Sequence, residues 1–182
     1  MEIIKATEEQ LRCLVIGEYT LAKVTSDEML ASQLFYHVTK AYFDYPLYIT
    51  FEAYDEMRSE IISQHQIEWL GDVGSVRKLQ GQHTYETPIP SFRVVIQDDR
   101  ELQHFLASNY RFAVEDFFFV ATQRKHIIYY PVIRDKRTQS FTKLSAYTQP
   151  HFITFSNKGE GLIIGTITEK DEDEIYYKLM EG

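Results

Sequence analysis

Apolar residues along the 182-residue chain fall into short runs separated by turn-forming residues, and the spacing inside each run predicts an element. Residues 11–16 are apolar and partly β-branched and predict a strand closed by Gly17. Thr25-Ser26-Asp27-Glu28 places a hydroxyl three residues before a Glu, a pair that can satisfy the free amides of a first helical turn. Leu30, Leu34, Val38 and Ala41 then recur at helical spacing, with Phe35 and Tyr42 widening the stripe, so a helix is expected from there to a point before Pro46. Residues 47–51 predict a strand. Ile61-Ile62 marks a second strand, with a helix over 56–68 as the alternative.

Farther on, residues 92–96 predict a strand, and Asp98-Asp99-Arg100-Glu101 an acidic helix start followed by Leu102, Phe105 and Leu106 on one face. Residues 115–133 predict a hairpin turning at 123–125, and 151–155 with 162–168 a second hairpin around Asn157-Lys158-Gly159-Glu160-Gly161. A last helix starts near Asp171 and buries Ile175 and Leu179. Between the halves, residues 71–90 carry Gly71, Gly74, Gly81, Pro88 and Pro90 and almost no apolar periodicity, the pattern of a linker. The expected architecture is α+β: two small domains, 1–70 and 91–182, each an antiparallel sheet with helices packed on one face.

One stretch carries more apolar surface than one face of a sheet needs. In Glu-Asp-Phe-Phe-Phe-Val-Ala-Thr, residues 115–122, successive side chains alternate faces, so Phe117, Phe119 and Ala121 oppose Phe118, Val120 and Thr122. Either both faces are core or one is a contact platform, with Phe118 and Tyr129 at its centre and Arg124 and Lys125 at its rim.

Composition narrows the classes. Hydrophobic residues make up 44% and aromatics 14% of the chain, enough to offset chain entropy in a folded core. Apolar runs stop at about five residues, far short of the roughly 20 that span a bilayer, and the start of the chain lacks the pattern of a signal peptide; a soluble cytoplasmic protein is expected. The single cysteine, Cys13, is expected to be a buried, inert thiol. A formal net charge of -8 disfavours a general nucleic-acid binder. Residues 1–70 hold 12 acidic and 5 basic residues against 15 and 14 in the remainder, an asymmetry that suggests two surfaces with different partners.

Catalytic and metal-binding patterns are few. The six histidines are scattered, and no Gly-x-Ser-x-Gly elbow, phosphate loop or dinucleotide fingerprint is present. Asp98-Asp99 and Glu115-Asp116 read as capping or turn carboxylates, and the acidic run 169–174 as a cap for the last helix. Arg124, Lys125, Arg134, Lys136, Arg137 and Lys143 form the one basic concentration; solvated turns are its first reading, an acidic protein partner its second and single-stranded RNA its third. No cofactor, metal or catalytic residue is expected.

The order of features resembles the MecA and YpbH group of bacterial adaptor proteins, which present substrates to the unfoldase ClpC and act in competence regulation. Met1-Glu2-Ile3, residues 10–16, Leu34-Phe35 and Pro46-Leu47-Tyr48-Ile49 look like its N-terminal domain, and residues 92–96, the helix from Asp99 and Tyr129-Tyr130 like the start of its C-terminal domain. The chain departs from that group in residues 71–90, which contain Arg77 and Lys78 and no acidic run, and in residues 134–168, which read as a hairpin where the group has more helix. The resemblance implies a non-enzymatic adaptor for regulated proteolysis, with one domain on a substrate protein and the other on the unfoldase, coupled through the linker. The residues themselves leave a second reading: a small acidic inhibitor or immunity-type protein that neutralises a partner enzyme through Glu52, Asp55, Glu56 and Glu60.

Overall fold

The computed structural model describes residues 1–11, 13–64, 66–81, 83–114, 118–125, 128–134, 137–156 and 161–181, without the side chains of residues 14, 77, 80, 114, 128–134 and 137–143. In chain order the strands and helices are β1 (Glu2–Lys5), β2 (Leu14–Ile16), β3 (Thr20–Thr25), α1 (Ala31–Tyr42), β4 (Leu47–Glu52), α2 (Arg58–Ile62), β5 (Ile67–Gln80), β6 (His83–Ile96), α3 (Asp99–Val114), β7 (Phe119–Thr122), β8 (Ile128–Arg134), β9 (Arg137–Ser145), β10 (His151–Phe155), β11 (Leu162–Thr166) and α4 (Glu172–Glu181). This is an α+β fold. Eight strands form one antiparallel sheet in the order β1-β3-β11-β10-β7-β4-β6-β5, and β2-β9-β8 form a second, three-stranded sheet in which β2 runs parallel to β9.

Strict alternation along the central strands builds two cores, one on each face of the large sheet. In β10, Ile153 and Phe155 face the helices while Phe152 faces away; in β11, Leu162 and Ile164 face the helices while Ile163 faces away. Leu34, Phe35 and Val38 of α1, Leu102, Phe105 and Phe112 of α3, and Ile175 and Leu179 of α4 cover the first face. Ala6, Leu11, Cys13 and Leu144, from the N-terminal segment and β9, cover the second. Each buried Phe, Leu or Ile is worth about 1.5–3 kcal/mol, so both faces contribute.

Several sequence expectations hold. The helix starts at α3 and α4 use one device: Glu101 N–H donates to Asp98 Oδ1 at 2.9 Å while Gln97 N–H donates to Glu101 Oε2 at 2.7 Å, and Glu174 N–H donates to Asp171 Oδ1 at 3.0 Å while Lys170 N–H donates to Glu174 Oε2 at 2.7 Å. The β10–β11 pairing is the expected hairpin; residues 157–160 between its strands lie outside the described residues.

Other expectations are corrected. Residues 71–90 are not a linker: 71–80 belong to β5 and 83–90 to β6, which pair from Ile67↔Val94 out to Gln80↔His83. The division into domains 1–70 and 91–182 fails with it, because the sheet interleaves strands from both halves and one core draws on Ala22, Phe51, Phe92 and Ile164 together. α1 starts at Ala31, not near Thr25; Ser26 Oγ accepts from Glu28 N–H in a preceding turn, and Gln33 Oε1 accepts from Leu30 N–H at the helix start. Leu30 consequently lies off the core, 71% exposed. Ile61-Ile62 belongs to α2, the helical alternative. β7 and β8 do not pair as the hairpin expected over 115–133, since β7 pairs with β4 and β10 while β8 pairs with β9 in the other sheet.

Candidate functional site

Of the residues expected as a contact platform, Phe118 is core. Phe118 is 3% exposed, packed with Val120, Phe152 and Ile163, and its carbonyl accepts from Glu52 N–H at 2.9 Å. Phe119 and Ala121 are buried on the opposite face, so both sides of this strand are core. Arg124 and Lys125 are exposed at the other end of β7, where the Arg124 peptide is held by the buried Gln149 amide (Gln149 Nε2 to Arg124 O, 2.6 Å) and Lys125 O accepts from Arg93 at 3.0 Å. Tyr129 has its backbone in β8, and its side chain lies outside the description.

The acidic group Glu52, Asp55, Glu56 and Glu60 is brought together after β4, and each member is engaged. Asp55 bonds Arg58, which also reaches Asp72 at 2.8 Å; Glu56 pairs with Lys78; Glu60 pairs with Arg111 at 2.9 Å; Glu52 has a partner as well. Asp55, Glu56 and Glu60 are thus ion-paired within the fold. The cluster's physical role is to clamp α2 and the preceding turn against the hairpin arm and α3.

That arm is the first candidate element. β6 pairs with β4 only from Ser91 onward, so the outer parts of β5 and β6 pair with each other, around a small core of Val73, Val76 and Ile89. The described residues from Leu79 to Glu86 at its end are all exposed, including Leu79 at 76% and Tyr85 at 43%. Beside them, the Lys78 ammonium lies 5.1 Å from the centre of the Tyr54 ring. Leu79, Tyr85 and Lys78 on strand backbone, with Tyr54 from the turn after β4, are the materials of a protein contact.

A second candidate is a cavity of about 640 Å³ between α2, the start of β5, the end of β6 and α3. Its apolar floor is Ile67, Ile96 and Phe105. Gln64 and Asn109 form a reciprocal amide pair in its wall, Asn109 Nδ2 to Gln64 Oε1 at 3.1 Å and Gln64 Nε2 to Asn109 Oδ1 at 3.4 Å, with Asn109 also donating to Phe105 O at 3.2 Å. Gln66, also on the wall, has φ +76°, the one described non-glycine residue in the left-handed region. Glu60, Glu101 and His104 stand at the rim. Sequence reading passed over this site, although Asn109 carries a signal: it continues the Leu102-Phe105-Leu106 stripe at i+4 from Phe105, where an apolar residue is expected.

A third polar group closes the far end of the large sheet. Thr166 Oγ1 meets His151 Nδ1 at 3.0 Å and the Glu169 carboxylate, which also accepts from Thr168 at 2.6 Å and Lys178 at 2.9 Å. Burial pushes the Glu169 pKa up, but these hydrogen bonds outweigh it and hold the carboxyl at about 2. Burial and the nearby Lys178 ammonium lower the His151 pKa. The group fastens α4 to the sheet. Cys13 is buried, and its thiol is pushed up to about 12 by burial and by Glu8, as an inert core thiol requires.

Among the described residues no three His, Cys, Asp or Glu side chains converge as a metal site, and no helix is long and apolar enough to cross a membrane. Comparison with protein-family models, curated proteins and solved structures finds no match for the chain.

Proposed function

We propose that this chain is a non-enzymatic, protein-binding adaptor of regulated proteolysis, the activity implied by its resemblance to the MecA and YpbH group, and that the outer β5–β6 arm is its principal contact. The supporting observation is the exposure of Leu79 and Tyr85 on two strands paired with each other. Their side chains can be withdrawn from water only by a partner.

In this reading the mechanism differs from tethering. A flexible linker couples two partners through effective concentration, whereas residues 71–90 are paired strand. Two partners on one such body would be held at a fixed separation, with the arm serving one and another surface of the sheet domain serving the second.

The test is affinity capture from a bacterial lysate by the full chain and by a Leu79→Ser/Tyr85→Ser variant, read by mass spectrometry. The expected result is an AAA+ unfoldase or its substrate retained by the unaltered chain and lost from the variant. Equal retention by both proteins overturns the role of the arm; retention of neither partner class by the unaltered chain overturns the adaptor.

A further inference from the structure

We propose that the cavity between α2 and α3 is a binding site for an uncharged adenine base or adenosine. The chemistry of the wall points there. An adenine ring presents an adjacent donor and acceptor on one edge, the pattern that Asn and Gln carboxamides match with two hydrogen bonds. Gln64 and Asn109 already make such a two-bond pair with each other, so Asn109 can exchange Gln64 for the base edge and stay satisfied while the half-buried Gln64 carboxamide turns to water. Asn109 is buried and held in place by Phe105 O, which leaves Gln64, in the bend after α2 and only half-buried, as the amide that moves.

The floor suits a flat ring. Phe105, Ile67 and Ile96 supply an apolar surface beneath the amides, and the volume of about 640 Å³ falls in the range of small-molecule pockets. Gln66 and Ser108 on the wall have no side-chain hydrogen bond among the described residues and are available to ribose hydroxyls. Gln66 also holds a left-handed backbone conformation, which costs a non-glycine residue about 1–2 kcal/mol; such cost concentrates at ligand sites.

The rim excludes phosphate. Glu60 and Glu101 both carry carboxylates there, and the Arg111 guanidinium is committed to Glu60. A 5′-phosphate entering this rim meets negative charge, with no arginine or lysine among the described lining residues. The site therefore favours the nucleoside over the nucleotide, and it is independent of the arm and of any protein partner.

The experiment is a titration of the full-length, isotope-labelled chain with adenosine, inosine, AMP and acetamide, followed by amide chemical shifts. Adenosine is expected to saturate shifts in α2, residues 64–67 and α3. Inosine, which on the N6/N7 edge recognised by a carboxamide replaces the donor with an acceptor, and AMP are each expected to bind at least fivefold more weakly. Ser108→Trp, an exposed rim substitution that fills the cavity, should abolish the shifts with thermal stability retained, and Glu60→Gln/Glu101→Gln should bring AMP to within about twofold of adenosine. Should Ser108→Trp fail to fold, Ser63→Trp, at another exposed lining position, serves in its place. No saturable shift with adenosine, shifts elsewhere on the protein, inosine equal to adenosine, or acetamide as strong as adenosine overturns the proposal.

Discussion

Phe118 and Phe119 are consecutive in sequence and are buried in different cores: Phe119 stands edge-on to Phe35 at 5.5 Å and to Phe155 at 5.7 Å under the helices, while Phe118 packs on the other face with Val120 and Phe152. Large-to-small changes at such positions cost about 3–5 kcal/mol. Phe119→Ala and Phe118→Ala are each expected to lower unfolding free energy in urea by about that much. A loss below about 0.5 kcal/mol for Phe118→Ala would mean that its face is open to solvent and the platform reading correct after all.

Gly165 pairs with Phe152 across β10 and β11, and a Cβ at Gly165 would lie 2.0 Å from a carbon of the Phe152 ring. The ring has no room to yield, being fully buried and edge-on to Tyr19 at 5.1 Å. Gly165→Ala is expected to cost about 1–3 kcal/mol. Adding Phe152→Leu should recover part of that loss in thermal denaturation, because the smaller side chain vacates the space. Independent, additive losses would show that the two positions do not compete for it.

Gln66 pays for its left-handed backbone, so Gln66→Gly is expected to stabilise the fold by about 0.5–1 kcal/mol, the relief being partly offset by the greater chain entropy of glycine when unfolded. A rise in thermal midpoint of a few degrees checks it. A fall would show that the Gln66 side chain contributes more than its backbone costs.

Acid should loosen α4 in two steps. His151 has a folded pKa below its ordinary 6.5, so the unfolded chain takes up protons first and stability declines as pH falls below that value. Glu169 is held at about 2 against an ordinary 4.5, so its contribution is present above about 4.5 and is lost as pH falls towards 2. Midpoints measured from pH 7 to 2 should therefore decline less steeply below 4.5 in Glu169→Gln than in the unaltered chain, and less steeply between 6.5 and 5 in His151→Gln. Parallel curves would place the acid sensitivity elsewhere.

What could be read from sequence follows burial. β4, β10, β11, α3 and α4 each bury a face against a core, and their periodicity is visible. β5 and β6 were missed because their outer parts bury little, so alternation fades, while Gly71, Gly74 and Gly81 and Pro88 and Pro90 resemble linker composition. The structure accommodates them with register shifts at Trp69/Gly71 and Asp72/Gly74 and a positive φ at Gly71 and Gly81. β3 was missed for another reason: Thr25-Ser26-Asp27-Glu28 is a good local cap, and pairing of Thr20–Thr25 with β1 and β11 overrides it. The cavity required residues from four elements to meet, and Asn109 alone could have pointed to it.

The place of β3 in the large sheet governs when the protein can fold. Its partner β11 lies about 140 residues later in the chain, and synthesis at about 5–20 residues per second separates the two by roughly 7–28 s. β10 and β11 also bridge β3 to β7, so the ribosome has released residues 1–166 before the middle of the sheet can close. Contacts this distant in sequence slow folding, and the nascent chain carries unpaired strand edges until residue 166 has emerged. A transcript truncated after β9 would thus yield not a working N-terminal half but a chain that chaperones or proteases must intercept.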